Sequence, residues 1–191
     1  MFNYYQGDIY PAVGRDSIIL NCGGDDYVFA FKKLAEGEGS LAISRMYGLA
    51  LASMLGGLTA DESHNIDWLS DTIKIMLCTS SYTPNQDTHQ FKSSITGEVS
   101  GTGYVEGGAT LTGKTITYDP DTNMVKLDAD DVVWENSTIT ARYAVIYDDT
   151  PENNTDKPVL GYIDFEEDKS SNAGNFTLQW NTNGIFTLAT P

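Results

Sequence analysis

Two histidines, two cysteines and 27 acidic side chains are the residues of this 191-residue chain with the most obvious chemistry. His64 and His89 could hold a metal only by converging with carboxylates. Both stand in polar stretches flanking the apolar run 72–78, where solvated or capping roles account for them. Cys22 and Cys78 lie far apart, with neither a CxxC nor any other metal-ligand spacing. Cys78 ends the strand-like run Ile73-Lys74-Ile75-Met76-Leu77 and reads as a buried thiol, whereas Cys22 precedes Gly23-Gly24 and reads as a turn residue. No disulfide between them is expected, since thiols stay reduced in the cytosol.

The acidic residues offer one loop with outer calcium-like spacing: Asp119-x-Asp121-x-Asn123, with Asp130 eleven residues after Asp119. A calcium loop needs glycine at its sixth position to turn sharply. Met124 stands there, and the residues after it alternate like a strand, so a hairpin turn is the better reading. Asp128 with Asp130-Asp131, Asp148-Asp149, and Asp164 with Glu166, Glu167 and Asp168 are further clusters. Weak calcium binding at loop ends is one reading of them; surface charge that keeps the protein soluble is the plainer one. No carboxylate pair is singled out for glycoside hydrolysis, and no serine sits in a GxSxG elbow. Asn136, Asn153 and Asn175 each open an N-x-Ser/Thr triplet, read here as chance. Trp68, Trp134 and Trp180 could stack on sugars, but Trp134 and Trp180 lie in strand-like runs and read as core. No catalytic, cofactor-binding or metal-ligating residue is assigned, and no cofactor is expected.

The elements that must position these residues follow from composition and pattern. The length suits one domain, or one domain with an extension, and is enough to bury a core. Apolar residues make up 40% and aromatics 11%, so the chain is not disordered by composition. A net charge of −16 argues against a role built on phosphate contacts, which need clustered lysine and arginine. No run of 18 apolar residues would cross a membrane, and residues 1–6 (MFNYYQ) do not open a secretory signal.

Charge is uneven along the chain. Residues 1–60 carry four basic and six acidic residues, and residues 61–191 carry seven and 21. This shift, with Gly56-Gly57 and the polar run after it, predicts two units: a 1–60 attachment or oligomerisation segment and a 61–191 β-sandwich domain. In the first, residues 17–20 and 27–31 predict a hairpin. Ser40 then caps a helix over about 41–55, ended by Gly56-Gly57. In the second, strands are predicted at 72–78, 103–105, 109–118, 124–127, 132–134, 139–147, 159–165, 176–180 and 185–188. A long polar connection over 80–95 carries a short helical turn near 88–93, and loops fall at 148–157 and 166–175. Asp119-Pro120-Asp121-Thr122-Asn123 and Asn183-Gly184 are hairpin turns by chemistry. Short strands punctuated by turns predict a mainly β fold, an antiparallel jelly-roll or Ig-like β-sandwich with an N-terminal extension containing one helix.

From about Asn65 onward the chain resembles a family of tailed-bacteriophage structural proteins. The matching pieces, in order, include residues 80–89 (SSYTPNQDTH), 98–104 (EVSGTGY), 107–111 (GGATL), 128–132 (DADDV), 137–147 (STITARYAVIY) and 163–165 (IDF). They span about two-thirds of the chain; residues 1–60 depart from the short helical start of that family. The resemblance implies a non-enzymatic virion protein without catalytic residues. The expected function is capsid decoration or cementing on the capsid exterior, after assembly in the host cytoplasm. Expected partners are the major capsid protein or other virion proteins and further copies of itself, a trimer on common capsid geometry, without nucleic acid or membrane. A neck, tail or fibre adaptor is the alternative, and a glycan-binding module a third.

Overall fold

The computed structural model describes residues 28–30, 43–55, 65–153 and 155–189. Among these, nine strands and one helix form the frame: β1 Val28–Ala30, β2 Ile43–Met46, α1 Gly48–Met54, β3 Ile73–Cys78, β4 Ala109–Thr110, β5 Thr115–Asp119, β6 Met124–Asp128, β7 Val132–Asp148, β8 Val159–Leu178 and β9 Phe186–Ala189. A six-stranded sheet runs β1-β2-β8-β7-β3-β4 and a three-stranded sheet β5-β6-β9, with every pairing antiparallel. The fold is thus mainly β and sandwich-like, with its helix in the N-terminal part, as the sequence predicts.

Burial explains the strand patterns. β3 is apolar along nearly its whole length and is buried on both faces, as a central strand should be. The last five residues of β7, Ala144 to Asp148, are continuously buried, whereas its first half alternates between core and solvent. Alternation of this kind marks a strand with one wet face. The two sheets meet at Gly161 of β8, where a Cβ would lie 2.8 Å from two carbons of the Phe186 ring on β9. Trp68, 1% exposed, packs edge-on against Phe186 and donates its Nε1–H to the Thr115 carbonyl of β5. The opposite face of the large sheet carries Tyr147, Tyr143 and Tyr162, beneath the segment that follows β3.

Several expectations are corrected. The helix expected over 41–55 is shorter. Residues 43–46 form β2, which pairs with Gly161 to Asp164 of β8, and the helix begins at Gly48. The open edge of β8 supplies backbone partners that outweigh a weak helical periodicity. β1 pairs with β2; the expected hairpin partner at 17–20 lies outside the described residues, as do Cys22, Lys32, Lys33 and His64. The run 103–105 is not a strand but a strap, in which Thr102 bridges Thr138 of β7. Tyr104 anchors it by stacking on Trp134 and donating its hydroxyl to Glu98. The run 109–118 splits, because the chain leaves β4 for the other sheet around Gly113 (φ +60°).

The largest correction is at 166–175, expected as a loop. It is strand, and it fuses two expected strands into the 20-residue β8, paired with an equally fused β7. Its residues are mostly exposed, so they lack the alternation that would reveal a strand. The pairing jumps from Tyr143↔Asp164 to Ala141↔Lys169, so Arg142 alone faces residues 165–168. This bulge is held from inside. The Asp164 carboxylate accepts the Glu166 N–H at 2.7 Å and Arg142 Nε–H at 2.8 Å, while Arg142 Nη1 donates to the Glu166 carbonyl. Asn183-Gly184 does make a turn, with Gly184 at φ +91°, but it carries the chain from β8 to β9 in the other sheet rather than closing a hairpin.

The 1–60 and 61–191 units meet within this architecture. β2 hydrogen-bonds to β8, and Met46, Tyr47 and Ala50 belong to the same core as Ile75 and Val145.

Candidate functional site

The residues that gather at this junction form a polar pocket. Sheet register sets them. Arg45 on β2 stands opposite Tyr162 on β8, and Tyr143 on β7 stands opposite Asp164 on β8, one repeat further along the same face. With Thr83 and Pro84 from the connection after β3, these residues line a solvent-open pocket of about 270 Å³. Gln86 ties that connection to β2, donating Nε2–H to the Met46 carbonyl at 2.9 Å and accepting from Arg45 Nη1 at 3.5 Å. The Arg142 guanidinium lies 5.5 Å from the Tyr143 ring centre. A guanidinium, two phenols and a carboxylate can hold a planar polar group, such as a peptide segment, by hydrogen bonds.

Beneath the pocket runs a buried chain of hydroxyls. Tyr47 Oη and Tyr82 Oη are 2.5 Å apart, and Tyr82 Oη is 2.9 Å from Nδ1 of His89. Tyr47 and Tyr82 are 0% and 1% exposed. The order that satisfies all three groups runs from Tyr47 through Tyr82 to an unprotonated Nδ1. Burial agrees with this. It pushes the Tyr47 phenol far above its ordinary range, raises Tyr82 to about 12, and lowers His89, so neutral forms dominate at pH 7. The Tyr82 ring also stacks on His89 and meets Tyr143 edge-on. The arrangement fixes the connection after β3 to the N-terminal strand.

The residues singled out by sequence fall elsewhere or prove structural. Asp119 accepts the Asp121 N–H at the tip of the β5–β6 hairpin, and hydrogen bonds from Thr122 and Asp121 hold its carboxyl low. Asp130 lies beyond the other end of that hairpin, where it accepts the Thr112 hydroxyl. Four strand residues, about 13 Å, separate the two ends, so Asp119 and Asp130 do not share one ion. Asp131 accepts the Trp180 N–H. Asp148 is 1% exposed and its carboxyl is raised by burial. Burial also pushes Asp149 upward, but Lys157 and Lys74, at 2.6 and 2.5 Å, outweigh it and hold the carboxyl low. Trp68 and Trp134 are buried and present no face to a sugar, and Trp180 donates its indole N–H to the Asp130 carbonyl. Cys78 is a free, fully buried thiol pushed up to about 12 by burial. Among the described residues, no group of three or more His, Cys, Asp or Glu is placed to hold a metal ion, and no helix is long and apolar enough to cross a membrane.

Sequence reading singles out Asp164 and His89 separately but misses the tyrosines beside them. Tyr47 and Tyr82 are 35 residues apart in sequence, and no local spacing marks the pair. Compared with family models, with curated proteins and with solved structures, the chain finds no match.

Proposed function

We propose that this chain is a non-enzymatic structural protein of a tailed-bacteriophage virion, a decoration or cement protein that binds the capsid exterior. The ordered motifs from residue 80 to residue 165 are the sequence support for it. One structural observation carries the rest of the reading. The N-terminal segment, proposed to attach to the virion, contributes β1 and β2 to the main sheet of the body. An anchor joined by a β-ladder cannot be pulled away without breaking several backbone hydrogen bonds at once. The acidic surface suits a protein displayed in many copies, because like charge keeps neighbours from aggregating.

The test uses the full chain, since removing residues 1–60 would also remove β2 and Tyr47 from the core. Purified protein is mixed with empty capsids that lack it and sedimented. The expected result is saturation at a fixed number of copies per capsid, together with greater resistance of the capsid to heat. Binding to isolated tails or necks but not to capsids would transfer the protein to the adaptor reading. Binding to neither would end the virion proposal.

A further inference from the structure

We infer that His89, Tyr82 and Tyr47 form an acid-sensitive latch: protonation of the His89 ring undoes the hydroxyl chain and frees the connection after β3 from β2 and α1. The inference does not depend on the virion reading. The chain has two links, 2.5 Å from Tyr47 Oη to Tyr82 Oη and 2.9 Å from Tyr82 Oη to His89 Nδ1. With the ring neutral, two hydrogens serve them: Tyr47 donates to Tyr82, and Tyr82 donates to Nδ1. Protonation puts a third hydrogen on Nδ1, and two links cannot place three hydrogens. Either Tyr82 accepts from both neighbours and its own hydrogen is stranded, or it turns to Tyr47 and strands that one. Both phenols are buried, and a buried donor without a partner is costly. The ring escapes only by turning away, which breaks the link and its stacking on Tyr82.

The latch lies on a seam between elements. Tyr47 stands between β2 and α1, whereas Tyr82 and His89 belong to the connection. Along the same seam the Gly48 N–H donates to the Gln86 carbonyl, and Gln86 Nε2 donates to the Met46 carbonyl. β2 keeps its separate ladder to β8, so opening is local. His89 is half-buried and within reach of solvent protons. The titratable rings around it are Tyr47 and Tyr82, backed by Tyr143 of β7 and Tyr162 of β8. Arg45 and Asp164 share the pocket with those last two, and Asp87 of the connection is exposed. Burial, rather than any of these charges, lowers His89. The latch is therefore fully closed above about pH 6.5, the ordinary histidine value, and is lost as pH falls through the lower midpoint of the folded chain.

Imidazole NMR of the full chain over a pH series tests this. The sequence has only one other histidine, His64, so His89→Gln assigns the signals. The expected His89 midpoint lies below the ordinary value. Tyr82→Phe removes the donor that favours the neutral ring and should move that midpoint upward. Amide hydrogen exchange then reads the latch itself. Gln at 89 offers Tyr82 an oxygen acceptor that does not titrate. At pH 7 the parent and His89→Gln should be equally protected. At about pH 5, amides of β2 and of residues 80–91 should exchange roughly tenfold faster in the parent than in the variant, with β3 and β7 unchanged. Should His89→Gln be loosened already at pH 7, the midpoint and its response to Tyr82→Phe decide alone. A midpoint at or above the ordinary value overturns the inference. So does a midpoint indifferent to Tyr82→Phe, equal protection of parent and variant at both pH values, or acid loss of protection that extends to β3 and β7.

Discussion

A fully buried hydroxyl has to find its partner inside the protein, and Tyr47 finds it in Tyr82. This makes the two residues unequal to the sum of their parts. Tyr82→Phe strands the Tyr47 hydroxyl and is expected to cost about 1–3 kcal/mol. Tyr47→Phe together with Tyr82→Phe removes both groups, leaving only the half-buried His89 nitrogen to recruit water. The double variant should therefore be less destabilised than the two single variants added together. Urea unfolding of the three variants measures this, and strict additivity would show that the hydroxyl pair carries no coupling. Nothing in the sequence around Tyr47 or Tyr82 announces the pair. Cys78 was more legible, because an apolar run leads directly into it and a strand of that composition is buried on both faces.

At the scale of elements, two glycines in one strand make opposite statements. Gly161 sits where β9 meets β8, and a Cβ there would lie 2.6 Å from the Arg45 carbonyl as well as against the Phe186 ring. Gly161→Ala must push the sheets apart or displace β2, and is expected to cost about 1–3 kcal/mol. At Gly174, in the exposed half of β8, an added Cβ would only reach ordinary contact distance, 3.8 Å from the Asn172 carbonyl. Gly174→Ala should be neutral or raise stability by up to about 1 kcal/mol, because it restricts the unfolded chain without a clash. Thermal melts of both variants decide it; a benign Gly161→Ala would mean that the two sheets part at this point at little cost. The same strand explains the main misreading of the sequence. Residues 166–175 look like a loop because water covers much of both faces, whereas β3 and the end of β7 declare themselves by buried apolar runs.

For the whole molecule, charge is the dominant feature. With 27 acidic against 11 basic side chains, the folded state gathers repulsion that the expanded chain relieves. The partly buried pairs Lys74–Asp149 and Lys157–Asp149 are screened less than exposed charges. Raising salt from about 0.02 to 0.2 M at pH 7 should therefore raise the melting temperature, by a few degrees on the scale of surface electrostatics. A fall with salt would mean that the ion pairs outweigh the repulsion. The boundary suggested by charge near residue 60 separates two compositions, yet the strands on either side of it lie in one sheet.

The sequence alone determined what depends on neighbours along the chain. Alternation and apolar runs gave most of the strands, Asp119 to Asn123 gave the β5–β6 turn, and the acid excess gave the surface. Tertiary structure decided what depends on partners far away in sequence. It chose strand over helix at 43–46, because β8 offered an open edge, and it set β9 beside β6 rather than β8. It also brought Arg45, Tyr143, Tyr162 and Asp164 to one pocket. Sheet register is fixed by hydrogen bonds between residues many positions apart, and a local pattern carries no record of which strand will lie alongside.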